Sequence, residues 1–182
     1  MRERFKNNVN YYLHMLKIFN ELAPFIEDCY REIGVREYSR ILKITPPTAS
    51  KILKNFESED LLKKRTDKGY LLFRANRESD ILKDLSRIYW RQRLKKIFDY
   101  INSEFHNPTI ILFGSLAKLE AKKDSDIDIA ILSKINKKIN LEKYEKVFDR
   151  EIQLFRFKSL NDIGKELRIN IMNGYLIQGE LR

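Results

Sequence analysis

One segment constrains the fold of this chain more than any other: Asp-Ser-Asp-Ile-Asp-Ile-Ala-Ile-Leu, residues 124–132. In a strand, successive side chains point to opposite faces, so Asp126 and Asp128 share one face while the isoleucines share the other. Neighbouring carboxylates repel each other, and a fold accepts that cost most readily when a divalent cation lies between them. Oxygen ligands suit Mg²⁺ or Mn²⁺ completed by phosphate oxygens. The segment therefore predicts a strand that binds metal on one face, with a solvent-exposed strand end that carries two acidic residues as the alternative.

The residues just before this strand predict a phosphate-binding turn. Thr109 to Phe113 is a short apolar, β-branched run, which indicates a buried strand. Gly114 and Ser115 follow, and then a helix is predicted from Leu116 to Ala121. Glycine lets a backbone approach phosphates, a serine hydroxyl donates hydrogen bonds to them, and a helix N-terminus favours negative charge.

Taken together, the string GSLAKLEAKKDSDIDIAIL, residues 114–132, resembles the polymerase-beta-like nucleotidyltransferase superfamily, in particular its minimal members. The resemblance extends from Thr109 to about Gly179 and implies a small α/β domain with a mixed sheet. It also implies that Gly114 and Ser115 hold a nucleoside triphosphate. Asp126 and Asp128 would bind the metal ions that assist attack on the α-phosphate, with pyrophosphate leaving. Two further lysines are candidates for phosphate binding, with a solvated surface as the alternative: Lys118 and Lys123.

A third carboxylate on a later strand normally completes the site of this superfamily. The candidate strand is Glu-Ile-Gln-Leu-Phe, residues 151–155, and the expected aspartate falls at Gln153, a neutral amide that cannot serve as a general base. Glu151 lies two residues earlier on the same face and is the substitute if the strand register is shifted. The sequence therefore leaves open whether transfer is weakened, specialised or lost.

The first half of the chain predicts a mostly helical domain. Helical periodicity covers residues 9–33, with a kink or break at Pro24, and a short helix is expected from Val35 to Leu42. Thr45 is placed to cap a third helix beginning with Pro46 and Pro47. Two short extended runs around the turn at residues 67–69 then predict a basic hairpin.

Residues 35–76 resemble the winged helix-turn-helix family of DNA-binding domains. The resemblance implies that the third helix enters the major groove and that the hairpin, or wing, contacts the DNA backbone. Packing or dimerisation by the same elements is the alternative. The residues expected to contact DNA are Thr48, Lys51, Lys54, Arg65 and Lys68.

The segment from Ser79 to Phe105 contains no glycine or proline and keeps a helical period, so a single long connecting helix is predicted. The predicted domains are a winged helix at 1–78, the connecting helix at 79–107 and the nucleotidyltransferase domain at 108–182. The predicted fold class is α+β, with a mostly α N-terminal domain and an α/β C-terminal domain.

The net charge indicates the kind of partner, and the distribution of apolar residues indicates where the protein is located. A formal net charge of +10 favours polyanions, with duplex DNA first and a merely solvated basic surface as the alternative. The start MRERFKNN lacks the apolar run of a signal peptide and no stretch suits a membrane span, so we expect a cytoplasmic protein.

Two functions are predicted: a metal-dependent nucleotidyltransferase with a DNA-binding winged helix and an unknown hydroxyl acceptor, or a DNA-binding regulator whose second domain senses nucleotide or dimerises. A protein acceptor and a homodimer stay open.

Overall fold

A computed structural model describes residues 17–181 of the chain. The chain divides into two compact units, Met1–Leu85 and Ser86–Arg182, and the division falls within one helix. The sequence predicted boundaries after residues 78 and 107. The part of the predicted helical run that precedes residue 17 lies outside the described residues.

The first unit combines helices with a three-stranded antiparallel sheet. Its elements are helix α1 at residues 17–27, strand β1 (Ile33–Gly34), helices α2 (Val35–Leu42) and α3 (Pro46–Ser58), strands β2 (Leu62–Asp67) and β3 (Tyr70–Ala75), and the start of helix α4 (Asp80–Arg93). The sheet order is β1-β3-β2. The predicted helical run to residue 33 is wrong at its end, because the helix stops at 27 and Ile33 pairs with Phe73 in the sheet.

Local sequence explains the remaining elements of this unit. Thr45 is the N-cap residue of α3 with prolines in its first turn, although its hydroxyl meets that of Thr48 at 2.9 Å and caps no backbone group. Lys68 and Gly69, both with positive φ, connect β2 to β3. A two-residue turn of this kind matches the twist of a hairpin.

The second unit is built around a four-stranded mixed sheet, as predicted. After the rest of α4 come helix α5 (Lys95–Phe105), strand β4 (Thr109–Phe113), helix α6 (Gly114–Ala117), strand β5 (Ile127–Leu132), helix α7 (Glu142–Phe148), strand β6 (Ile152–Phe157), a 3-10 turn (Leu160–Asp162), helix α8 (Lys165–Met172) and strand β7 (Tyr175–Gln178). The sheet order is β6-β5-β4-β7, in which only β5 and β6 are parallel.

The predicted single connecting helix is wrong, because α4 and α5 are separate. Leu94 lies between them with φ −94° and ψ 7°, in the bridge region of backbone conformation. Its side chain is fully buried. Neither a glycine nor a proline causes the break between α4 and α5. The break coincides with burial of Leu94 in the core.

One face of the mixed sheet is apolar over most of its length. Ile111, Phe113 and Ala130 form a buried cluster with Ile163 and Ile171, which come from the segment that folds back over the sheet. Strand alternation and register put Ala130 on the same face as Asp128. The aspartates therefore lie at the end of this buried face. They have apolar residues on one side and are open to solvent on the other.

Candidate active site

The two aspartates lie where β5 begins. Asp126 precedes the strand, Asp128 is its second residue, and both side chains are half-buried. The pKa of Asp128 is raised, first by burial and then by the nearby charge of Asp126. A partly desolvated carboxylate beside a second one is a site where a cation lowers the electrostatic free energy.

Gln153 completes this end of the sheet. The parallel register of β5 and β6 pairs Asp128 with Gln153. The Gln153 side-chain amide donates a hydrogen bond from Nε2 to Asp126 Oδ2 at 2.7 Å. At the position where the resemblance implies a carboxylate, this chain has a neutral group that already holds one aspartate oxygen.

Glu151 does not join the pair. Its backbone carbonyl accepts a hydrogen bond from Ile127 N at 2.8 Å, which aligns the two strands, but its side chain is exposed. That side chain lines a separate open cavity of about 660 Å³ together with residues of α7 and the turn after it: Glu145, Lys146, Asp149 and Arg150. Within residues 17–181, no three His, Cys, Asp or Glu side chains come together as a metal-binding group.

Gly114 is held against Asp128. It has φ +71°, and a Cβ atom there would lie 2.0 Å from Asp128 Oδ2. A glycine is therefore required at residue 114 for two reasons besides the close approach of a phosphate: a side chain would collide with Asp128, and the backbone is left-handed.

The helix after Gly114 differs from its prediction. It covers Gly114–Ala117, four residues, and the predicted span to Ala121 is wrong. Leu119 has φ +57° and is fully buried, so the chain turns where a helix would have continued. A helix this short contributes little dipole, which leaves the backbone N–H groups and the half-buried Ser115 as the phosphate-binding features of the segment.

The two lysine candidates have different surroundings. Lys118 is half-buried, and its Nζ donates to Asn170 Oδ1 of α8 at 3.0 Å. Lys123 is exposed in the turn before β5. Of the two, Lys118 is the one with a defined position.

Arg150 is a residue of this region that the sequence analysis missed. Its guanidinium donates to the carbonyl of Ser125, the residue before Asp126, at 2.5 Å. The same guanidinium lies over the buried ring of Trp90, 5.5 Å from the ring centroid. No local pattern marks this arginine, because both partners are distant in sequence.

The two carboxylates fit a divalent cation by donor type. Mg²⁺ is commonly held by one or two carboxylates together with the phosphates of its substrate. Asp126 and Asp128 supply such a pair, whereas residue 153 supplies no charge.

The residues expected to contact DNA lie in the first unit. Thr48, Lys51 and Lys54 are exposed on α3, and Lys68 is exposed in the hairpin turn. Arg65 instead makes two hydrogen bonds of 2.6 Å to the carboxylate of Glu32. These two bonds occupy Nε and Nη2 of the guanidinium.

Comparison with known proteins bears on the second unit. A search of curated proteins and a search of solved structures found no match for the chain. Every helix within residues 17–181 is too short or too polar to span a bilayer. The family model described as Polymerase beta, Nucleotidyltransferase matches residues 95–179, slightly less than half of the chain. The match includes Asp126, Asp128 and strand β5, and residues 95–179 are thereby identified as a nucleotidyltransferase domain of the polymerase-beta type.

Proposed function

We propose that this domain binds a nucleoside triphosphate with a divalent cation, Mg²⁺ or Mn²⁺, and transfers the nucleoside monophosphate to a hydroxyl acceptor. The observation that carries the proposal is the convergence of Gly114, Asp126 and Asp128 at one end of the sheet, within the segment that matches the family model. The apolar face behind them limits access of water from that side.

The backbone at Gly114 and the hydroxyl of Ser115 would bind the triphosphate. Asp126 and Asp128 would hold the cation, which would neutralise charge on the phosphates. The acceptor oxygen forms a bond to the α-phosphorus, and the bond from that phosphorus to the β-phosphate bridging oxygen breaks. Pyrophosphate leaves with the bonding electrons, and the acceptor proton passes to solvent. Gln153 orients Asp126 through its amide.

The test is transfer of label from each α-labelled nucleoside triphosphate with Mg²⁺ or Mn²⁺, in the presence of cell extract as a source of acceptor. Asp126→Asn and Asp128→Asn should abolish the transfer, since each removes a charge with little change of shape. Asp124→Asn is the matched control, because Asp124 is an exposed aspartate of the same segment. Equal labelling by all four proteins would refute the assignment of the site.

A second function, DNA binding by the first unit, is favoured by one observation. Thr48, Lys51 and Lys54 are exposed in the N-terminal two-thirds of α3, the helix that follows a short turn after α2. In helix-turn-helix proteins the equivalent surface faces the major groove. The protein would then be a DNA-binding regulator whose second unit senses nucleotide, or an enzyme that acts at DNA. Absence of label transfer together with retained binding to duplex DNA would favour the regulator.

A further inference from the structure

We propose that Gln153 limits the nucleotide site to a single divalent cation. This inference rests on the proposed function and concerns the same site. The three side chains that meet there are two carboxylates and one amide: Asp126, Asp128 and Gln153.

The amide acts on the site in two ways. It offers no negative charge, so a second cation close to the first would meet their mutual repulsion with only two protein carboxylates to offset it. It also directs a hydrogen-bond donor at Asp126 Oδ2, 2.7 Å away, and this donor competes with a cation for the same carboxylate oxygen.

The neighbouring residues do not supply the missing ligand. Glu151 is exposed and lines another cavity, and its backbone is fixed by the hydrogen bond from Ile127. The described part of the chain contains no third acidic, histidine or cysteine side chain grouped with the two aspartates. The cation count is therefore decided at residue 153.

One cation bound with the triphosphate leaves the acceptor hydroxyl without a metal to lower its pKa. Gln153 itself cannot remove the proton, because an amide is not a base at neutral pH. The wild-type domain thus holds a nucleotide and its cation in place while transferring slowly.

The experiment counts Mn²⁺ ions per chain by electron paramagnetic resonance titration, with a saturating α,β-methylene nucleoside triphosphate whose α–β bond cannot be cleaved. We expect one ion for the wild type. Gln153→Glu keeps the length of the side chain and replaces Nε2 with an oxygen, so we expect two ions. Gln153→Ala removes the amide without adding a ligand and should bind one.

The outcomes separate this inference from the proposed function. Two ions in the wild type, or one ion in both Gln153→Glu and Gln153→Asp, would overturn the role of Gln153 while nucleotide binding stood. No bound ion in the wild type would overturn the proposed function itself. Circular dichroism shows which variants are folded, and the aspartate variant replaces the glutamate variant if only one of them folds. With two ions we also expect label transfer to rise by about tenfold or more.

Discussion

At the scale of single residues, the contact between Gly114 and Asp128 dominates the site. The left-handed backbone at Gly114 costs a residue with a side chain about 1–2 kcal/mol, and the added Cβ would lie 2.0 Å from a carboxylate oxygen. We expect Gly114→Ala to destabilise the second unit by about 2 kcal/mol or more and to abolish nucleotide binding. Thermal unfolding and nucleotide titration measure the two effects.

Gly69→Ala is the matched control. Gly69 also has positive φ, +81°, but an added Cβ would meet nothing within 4 Å. Its cost should be limited to the left-handed backbone, about 1–2 kcal/mol, with nucleotide binding unchanged. Adding Asp128→Ala to Gly114→Ala should recover part of the lost stability, because the clashing oxygen is removed. Equal costs for the two glycine variants would contradict the close contact.

When no cation is bound, the charge of Asp128 should lower the stability of the fold. Its pKa is raised in the folded state, so stability is greatest where the carboxyl is protonated and falls as the pH rises through the folded pKa. We therefore expect Asp128→Asn to raise the Tm at pH 7 in the presence of a chelator. The side chain is only half-buried, so solvent screens its charge and the expected rise is small, on the order of a few degrees.

The dependence of this stability gain on pH tests whether the charge of Asp128 is its cause. The advantage of Asp128→Asn should shrink as the pH is lowered towards the unfolded pKa of aspartate, about 3.9. Burial is the larger cause of the raised pKa, so most of the gain should persist when Asp126 is also asparagine. A gain that stays constant from pH 7 to pH 4 would contradict this explanation.

At the scale of elements, Arg150 connects the segment before β5 with α4. It bonds the Ser125 carbonyl and stacks on Trp90, and hydrogen bonds to charged groups contribute about 1.5–3 kcal/mol. We expect Arg150→Ala to lower the stability of the second unit by about 1–3 kcal/mol. It should also weaken Mn²⁺ binding, because Arg150 holds Ser125, the residue directly before Asp126. Arg150→Lys should restore part of the stability, since lysine keeps the charge but lacks the planar donor group.

Arg156→Ala is the control for this prediction. Arg156, on β6, also donates to a backbone carbonyl, that of Lys137. It pairs in register with Ile131, away from the aspartates. Its loss should leave Mn²⁺ binding unchanged, and comparable losses in both variants would show that Arg150 has no special connection with the site.

At the scale of the whole molecule, the net charge of +10 makes any DNA binding strongly dependent on salt. If Lys51 and Lys54 each contact a phosphate, the double variant Lys51→Ala/Lys54→Ala should reduce the slope of log K against log salt by about 2. Fluorescence anisotropy with a labelled duplex measures the slope over a range of salt concentrations.

Lys17→Ala/Lys83→Ala removes the same charge from two other helices of the first unit and should change the slope much less. Both lysines make ion pairs within their own helices, with Glu21 and Asp80. Equal changes of slope in the two double variants would attribute binding to net charge alone and would argue against a role for α3.

Several features were determined by the sequence because they depend on neighbouring residues. The alternation in residues 124–132 predicted strand β5, which contains Asp128 and begins directly after Asp126, and the helix at Val35–Leu42 has the predicted bounds. The hairpin also formed at its predicted turn, since Lys68 and Gly69 accept positive φ.

Other features were decided by tertiary structure, because their causes join distant parts of the chain. The break at Leu94 and the left-handed turn at Leu119 accompany burial of both leucines, which no local signal marks. Gln153 lies 27 positions from Asp126, and only the parallel pairing of β5 with β6 brings its amide to that carboxylate. The sequence alone thus determined which residues carry the charge of the site, while strand register decided which neutral group shares it, since register depends on packing across the whole sheet.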